Sequence, residues 1–152
     1  KVFNLLPLEV KNKPLIDYGC GKGRALFVAE QCGFTNLIGV DIAKELIENA
    51  NENLKNYLPK NKHSKITFLF EDATKYAIPH DCEVCYFFNP FGPEILQQVI
   101  STIKESLIQN PRTIYCIYLN PLYKEVFEKN GFTLHKSIKS WRYVEGIIYL
   151  IN

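Results

Sequence analysis

Three glycines alternate with other residues in the segment DYGCGKGR, at Gly19, Gly21 and Gly23. Glycines at such positions let the backbone turn sharply and approach a ligand without a Cβ in the way. The dinucleotide-binding fingerprint is G-x-G-x-x-G and faces a diphosphate. The spacing here is G-x-G-x-G, and Asp17 stands two residues before it. This arrangement favours a ligand with an ammonium or sulfonium group over one with a diphosphate.

Two further acids follow apolar runs. Asp41 comes twenty residues after Gly21, where a carboxylate can accept hydrogen bonds from both hydroxyls of a ribose. Asp72 can accept from an adenine amino group, and the N–H of Ala73 can donate to a ring nitrogen. Each acid also has a simpler interpretation. Asp41 could cap a helix that begins at Ile42, and Asp72 could cap a turn.

The segment YFFNPFG joins three aromatic residues, typical of a buried strand, to Asn89, Pro90 and Phe91. An amide, a proline and an aromatic ring are an unusual end for a hydrophobic strand. Asn89 Oδ1 can accept from N–H groups, and Phe91 can supply a flat apolar wall. The alternative is that Asn89 only caps a turn and Phe91 lies in the core.

The hydrophobic pattern predicts seven strands, over residues 15–18, 36–40, 66–70, 82–88, 113–119, 132–138 and 144–151. It predicts helices over 23–32, from 42 to a stop at Pro59, from Pro93 through 107, and from 120 to 130. Strands that alternate with helices indicate an α/β fold with a parallel sheet covered on both faces. The last two strands lack a helix between them, so we expect an antiparallel pair at one edge. Ligands of such sheets bind at the carboxyl ends of the strands, where the three acids and the Asn89 segment should meet.

Four segments in this order, LIDYGCGKGR, IGVDIAKELIENANENL, FEDATKY and FFNPF, resemble the class I S-adenosylmethionine-dependent methyltransferases. They are most similar to a group of small bacterial members with a DxGCGKGR loop and an NPF motif. The resemblance covers nearly the whole chain from Leu15 onward. It implies a Rossmann-like three-layer sandwich with a seven-stranded, mostly parallel sheet whose last strand is antiparallel.

The resemblance also implies that S-adenosylmethionine is the cofactor. The implied cofactor-binding residues are Asp17, Gly19, Gly21, Gly23, Asp41, Ile42, Asp72 and Ala73. Asp17 and the backbone of the glycine loop would hold the amino acid part, Asp41 the ribose, and Asp72 with Ala73 the adenine. Gly23 could instead serve only close packing of helix on strand. We expect Arg24 to pair with an acid at the surface rather than with Asp17.

Methyl transfer from a sulfonium is a direct displacement, so the enzyme mainly aligns nucleophile, methyl and sulfur and excludes water. Asn89, Pro90 and Phe91 are the candidate catalytic residues, because Asn89 Oδ1 could aim the lone pair of an acceptor nitrogen. Adenine and glutamine N-methyltransferases use an (N/D)PP(Y/F) tip, and its second proline is missing here, which argues against an amide or adenine acceptor. The expected acceptor is a nitrogen of a protein side chain or a small molecule.

The composition limits the partners and the location. The 152 residues favour a single domain over 1–152, and because the chain begins at Lys1 we expect a native segment upstream. A net charge of +2 does not favour nucleic acid, and no apolar run is long enough to cross a membrane. Five cysteines, mostly in apolar runs, predict reduced thiols in the cytoplasm. Cys82 and Cys85 should start a strand and face opposite ways, so we interpret them as structural, with no metal.

Two other functions are open. One is a nicotinamide-dependent Rossmann oxidoreductase, against which the loop spacing and Asp17 argue. The other is a cofactor-binding module without turnover. Tyr18 and Phe88 flank the same edge and are expected to serve packing. Residues Trp141, Arg142 and Tyr143 could form a substrate lip, although a packed hairpin turn is the favoured interpretation.

Overall fold

The computed structural model describes residues 2–139 and 145–152, so the lip considered for residues 141–143 lies outside the described residues. The strands are β1 Pro14–Tyr18, β2 Asn36–Asp41, β3 Lys65–Phe70, β4 Val84–Phe88, β5 Ile114–Leu119, β6 Thr133–Lys139 and β7 Glu145–Ile151. The helices are α1 Arg24–Gln31, α2 Lys44–Asn56, α3 Pro93–Gln109 and α4 Lys124–Lys129. Two short 3₁₀ helices, Val2–Leu5 and Glu9–Asn12, precede β1. None of the described helices is both long enough and apolar enough to cross a membrane.

The strands form one sheet in the order β3-β2-β1-β4-β5-β7-β6. Strands β1 to β5 pair in parallel, and β7 runs antiparallel to both of its neighbours, β5 and β6. The predicted α/β sandwich with an antiparallel last strand is therefore confirmed. The chain order reverses direction between β1 and β4, which is where open α/β sheets form a ligand-binding crevice.

Apolar side chains cover both faces of the sheet. On one face, α3 buries the predicted stripe of Leu96, Val99, Ile100, Ile103 and Leu107. Each fully buried aliphatic side chain of this kind contributes about 1.5 to 3 kcal/mol, so the stripe is enough to fix α3 against the sheet. The other face packs against α1, α2 and the two 3₁₀ helices, whose Phe3, Leu6 and Val10 are buried.

The prediction that Cys82 and Cys85 lie in one strand and face opposite ways is wrong. The strand begins at Val84, so Cys82 precedes it and the alternation of side chains does not apply. Both thiols are fully buried in the same core cluster as Cys116, and the contact between the two side chains and their burial raise the pKa of Cys82. The described residues contain no group of three or more His, Cys, Asp or Glu side chains that could hold a metal ion.

The expected start of α4 is also wrong. Asn120 does not cap the helix, which begins at Lys124 after Tyr123. Asn120 instead adopts a left-handed conformation with φ of 50°, and its N–H donates to the carbonyl of Glu145. Asparagine tolerates this conformation better than most residues, so Asn120 turns the chain out of β5.

Candidate functional site

The glycine loop wraps the end of β2. The N–H groups of Gly19 and Cys20 both donate to the carbonyl of Val40, at 2.9 and 3.2 Å. The N–H of Gly23 then donates to the carbonyl of Cys20 at 2.9 Å, and Gly23 has φ of 84°. The glycine loop is thus hydrogen-bonded to the end of β2, and the chain enters α1 at Arg24.

The side chain of Asp41 holds the glycine loop in place through hydrogen bonds. Its Oδ2 accepts from the N–H of Gly21 at 2.9 Å, and its Oδ1 accepts from the N–H of Ala43 at 2.9 Å. Helix α2 begins at Lys44 with Ala43 as its N-cap residue, so Asp41 supports the turn before the helix rather than capping it. Each carboxylate oxygen has more than one lone pair, so Asp41 can still accept from a ligand.

Asp72 shapes the turn after β3. Its Oδ1 accepts from the N–H and the hydroxyl of Thr74, at 2.9 and 2.7 Å. Lys75 Nζ lies 3.6 Å from its Oδ2. The hydrogen bonds from Thr74 lower the pKa of this carboxyl, so it is ionised at neutral pH. The turn-capping interpretation is therefore correct, and Oδ2 stays available to a ligand.

Both acids face one cleft of about 640 Å³, which we call the acidic cleft. Among its lining residues are eight of the predicted site residues: Gly19, Gly21, Asp41, Ile42, Asp72, Ala73, Pro90 and Phe91. The acidic cleft therefore brings together parts of the sequence that are up to about seventy residues apart. Its apolar walls include Ile42, which is 68% exposed although it is a large aliphatic residue.

A second space of about 500 Å³, which we call the apolar cavity, lies on the other side of Gly19. Gly19 lines both spaces, while Asp17 lines only the apolar cavity. The remaining walls come from four parts of the chain. They are the first residues of the chain (Val2 and Phe3), the start of α1 (Arg24 and Ala25), the end of β4 (Phe88) and the end of β5 (Leu119). Both spaces therefore reach the glycine loop at Gly19.

Asp17 is a buried acid with no ionic partner among the described residues. It is 2% exposed and makes no side-chain hydrogen bond with any of them. Burial, and to a lesser extent the charge of Asp41, raise its pKa from 3.8 to about 8. A buried carboxyl group of this kind favours a bound cation, because a positive charge nearby would offset the cost of ionising it.

Two glycines of the loop are required by close packing. A Cβ on Gly19 would lie 2.4 Å from the Cβ of Pro90, so the loop and the segment after β4 are in direct contact. A Cβ on Gly23 would lie 2.3 Å from the ring of Phe68. Gly23 lines neither the acidic cleft nor the apolar cavity, so the structure favours the packing interpretation for it.

Asn89 is turned towards the neighbouring strand. It has φ of 42°, and its Oδ1 accepts a 2.9 Å hydrogen bond from the hydroxyl of Tyr118. That hydroxyl in turn accepts from the N–H of Tyr123 at 3.3 Å. Asn89 lines neither space, whereas Pro90 and Phe91 line the acidic cleft. Pro90 and Phe91 therefore face the acidic cleft, whereas the side chain of Asn89 faces β5.

Several lining residues were not foreseen. Phe88 was expected to serve packing, but it is 51% exposed and lines the apolar cavity. Tyr18 does serve packing, since it is fully buried and stacks on Phe87. Arg24 lines the apolar cavity and forms no ion pair with any described residue, contrary to the expected surface pair. The only feature of the sequence that could have indicated this role for Phe88 is its position at the carboxyl end of a predicted strand.

The comparisons with known proteins agree with this geometry. Residues 9–112 match a family model described as a methyltransferase domain. Ribosomal protein L11 methyltransferase of Burkholderia ambifaria is 33% identical over 69 residues, which is 43% of this chain and 21% of that protein. The corresponding protein of Paraburkholderia phymatum is 31% identical over 72 residues, 47% of this chain and 20% of that protein. The match therefore spans about a fifth of the length of these relatives.

Solved structures share the fold at low sequence identity. A SAM-dependent methyltransferase from Aquifex aeolicus aligns with a TM-score of 0.72 at 15% identity, covering 92% of this chain and 82% of that one. Magnesium protoporphyrin IX methyltransferase from Synechocystis, crystallised with bound SAM, aligns with a TM-score of 0.69 at 16% identity, covering 98% of this chain and 74% of that one. The L11 methylase of Lactobacillus delbrueckii subsp. bulgaricus aligns with a TM-score of 0.65 at 18% identity, covering 97% and 74%.

The sheet order and the glycine loop define a Rossmann-like domain of the class I methyltransferase type. The chain belongs to the family of methyltransferase domains that its residues 9–112 match. The prediction of a methyltransferase domain is confirmed, and the nicotinamide-dependent alternative has no support from the family.

Proposed function

We propose that this domain binds S-adenosylmethionine across the acidic cleft and the apolar cavity and transfers its methyl group to a nitrogen of a protein side chain. The observation that carries the proposal is the convergence of three acids at one sheet edge. Asp41 and Asp72 line one side of Gly19, and Asp17 lines the other. This arrangement suits a ligand with hydroxyl and amino donors at one end and a cation at the other.

The acidic cleft suits the adenosine part. Asp41 can accept from the ribose hydroxyls with its remaining lone pairs, because each of its oxygens accepts only one backbone hydrogen bond. Asp72 Oδ2 and the N–H of Ala73 are suited to the adenine edge. Ile42 and Phe91 line the same cleft and supply apolar surface for the faces of a base.

The apolar cavity suits the amino acid part. Asp17 would hold the ammonium group, since no described side chain neutralises its carboxylate. The bend of the ligand would pass Gly19, which lines both spaces and has no Cβ to obstruct it. The bound cofactor supplies a methyl group activated by attachment to a sulfonium sulfur.

The ends of β4 and β5 suit the acceptor. Phe88 and Leu119 form an apolar wall beside the loop, which favours the hydrocarbon stem of a side chain. Phe88 and Leu119 would hold the acceptor, the cofactor would supply the methyl group, and the acceptor nitrogen would lose its proton to solvent. Asn89 follows β4 at the same edge and is held by Tyr118, so its amide would have to turn from β5 towards the apolar cavity for Oδ1 to orient an N–H of the acceptor.

A protein acceptor is favoured by the curated relatives. The proteins that match at 31 to 35% identity are ribosomal protein L11 methyltransferases, and their name states a protein substrate. The net charge of +2 gives no strong attraction for nucleic acid. The apolar wall at Phe88 is consistent with a side chain that enters end-on.

The test is methyl transfer from labelled S-adenosylmethionine to fractionated cell extract. We expect label in a protein fraction, and we expect Asn89→Ala to lower the rate by about tenfold or more while cofactor binding persists. The control is Asn49→Ala, on the exposed face of α2, where the side chain bonds only the Glu45 carbonyl. Cofactor binding without label in any fraction would instead indicate a module that binds without turnover.

A further inference from the structure

Two cations line the apolar cavity beside Asp17. They are Lys22 and Arg24, which flank the last glycine of the loop. Neither forms an ion pair with a residue in the described ranges. Both are exposed, and the rest of the cavity wall is mainly apolar. The apolar cavity therefore holds one buried acid and two bases that no described acid pairs with.

The start of α1 lacks the usual anionic partner. Arg24 is the first residue of α1, Gly23 supplies no side-chain cap, and the first turn contains no acid. The N-terminus of a helix carries a partial positive charge, so a base at this position is unfavourable unless an anion is bound nearby. The local sequence thus concentrates positive charge where most helices have a carboxylate.

Asp17 does not neutralise these bases. An Arg–Asp pair would lower the pKa of Asp17, whereas burial and the charge of Asp41 raise it. Asp17 is 2% exposed, makes no side-chain hydrogen bond with a described residue and lines the same cavity. An acid and a pair of bases therefore face one space without compensating each other, which is the charge pattern that a zwitterion would complement.

We propose that Arg24, assisted by Lys22 and the N-terminal amides of α1, binds the α-carboxylate of the ligand whose ammonium group faces Asp17. The inference rests on the proposed function and assigns the carboxylate end of the same site. The planar guanidinium of Arg24 can bind a carboxylate with two parallel hydrogen bonds. Lys22 contributes a point charge from the other side of Gly23.

The test compares ligands that differ by one group. Binding is measured by calorimetry for S-adenosylmethionine, for its decarboxylated form, and for 5′-methylthioadenosine, which lacks the whole amino acid part. We expect Arg24→Gln to weaken S-adenosylmethionine by about tenfold or more and the other two ligands by less than about twofold, since a charged hydrogen-bonded pair is lost only with the first. Arg24→Lys should restore part of the loss. Lys129→Gln, on the exposed end of α4, is the matched charge control and should change nothing.

The double variant Lys22→Gln/Arg24→Gln excludes compensation by Lys22. The inference is overturned if this variant keeps the wild-type preference for the carboxylated ligand, or if it loses all three ligands equally. The thermal unfolding midpoint of each variant shows that the fold is retained. A wild-type protein that binds none of the three ligands would contradict the proposed function itself, which is a different result from a lost preference.

Discussion

The N–H of Gly21 donates a 2.9 Å hydrogen bond to Oδ2 of Asp41, although twenty residues separate them along the chain. The same carboxylate accepts from Ala43 just before α2. One side chain therefore fixes the loop after β1 to the turn after β2, so that the edge of the acidic cleft is formed before a ligand enters. Pre-organisation of this kind reduces the entropy that binding must overcome.

The contact between Gly19 and Pro90 should not tolerate a methyl group. Gly19→Ala would place a Cβ 2.4 Å from the Cβ of Pro90 at φ of 71°, and should destabilise the fold by about 2 to 4 kcal/mol and widen the acidic cleft. Gly131→Ala is the matched control, because Gly131 has φ of 85° with no atom near its added Cβ. It should cost only about 1 kcal/mol. Urea unfolding measures the stability of both variants. Equal losses of stability in Gly19→Ala and Gly131→Ala would contradict the claim that the contact with Pro90 excludes a methyl group at Gly19.

Asp17 should make the unliganded protein less stable at high pH. Its pKa is 3.8 in an unstructured chain and about 8 in the fold, so the folded chain holds a proton that the unfolded chain releases between these values. The destabilisation is absent below pH 3.8 and complete above about pH 8. Asp17→Asn should therefore gain stability over wild type as pH rises from about 5 to about 9, by on the order of a few kcal/mol.

Urea unfolding of wild type and Asp17→Asn at intervals across this range measures the difference, so that effects common to both proteins cancel. A stability difference that does not change with pH would contradict the buried carboxyl group with its raised pKa. The same substitution should weaken binding of S-adenosylhomocysteine, because the neutral amide offers no charge to its ammonium group.

Glu30 should stabilise the fold without affecting the site. This carboxylate is 1% exposed and accepts from the hydroxyl of Tyr57 at 2.7 Å, the N–H of Asn61 at 2.9 Å and the hydroxyl of Ser64 at 3.1 Å. It thus ties the segment after α2 to α1. Glu30→Gln should cost about 1 to 3 kcal/mol, because a neutral amide leaves part of this set of donors unsatisfied.

Burial by itself would raise the pKa of Glu30, but the hydrogen bonds from Asn61, Tyr57 and Ser64 together lower it. The stabilisation by Glu30 is therefore complete above the pKa of the unfolded chain and is lost as pH falls through the lower pKa of the fold. Acid unfolding of wild type and Glu30→Gln should converge at low pH. Glu30 lines neither space, so we expect wild type and Glu30→Gln to bind S-adenosylhomocysteine with equal affinity. A large loss of affinity in Glu30→Gln would contradict the claim that Glu30 stabilises the fold without affecting the site.

The sequence predicted that the three acids lie near the carboxyl ends of parallel strands. Asp17 is the next-to-last residue of β1, Asp41 ends β2 and Asp72 follows β3. Because these three strands pair in parallel, their carboxyl ends lie at the same edge of the sheet. The close contact between Gly19 and Pro90 was not predictable, because the two residues lie far apart along the chain. The periodicity rules relate neighbours within an element and carry no information on such contacts.

Other features depend on contacts between distant residues. Asn89 bonds Tyr118, twenty-nine residues away, only because a left-handed turn directs its amide towards β5. The two 3₁₀ helices, which bury Phe3 and Val10, could not be predicted because their sequence has no regular apolar pattern. Cys82 and Cys85 lie in the same core cluster, and β4 begins two residues later than the apolar run suggests.

Calorimetry with S-adenosylhomocysteine tests the central claim most directly. The wild-type protein should bind it, and Asp41→Ala should weaken binding by about tenfold or more, because the variant loses both the ribose acceptor and the anchor of the loop. Glu48→Ala, an exposed acid on α2 that forms only a surface ion pair with Lys44, is the matched control and should bind as wild type does. No heat of binding from intact wild-type protein at millimolar ligand, or equal affinity of Asp41→Ala and wild type, would contradict the account.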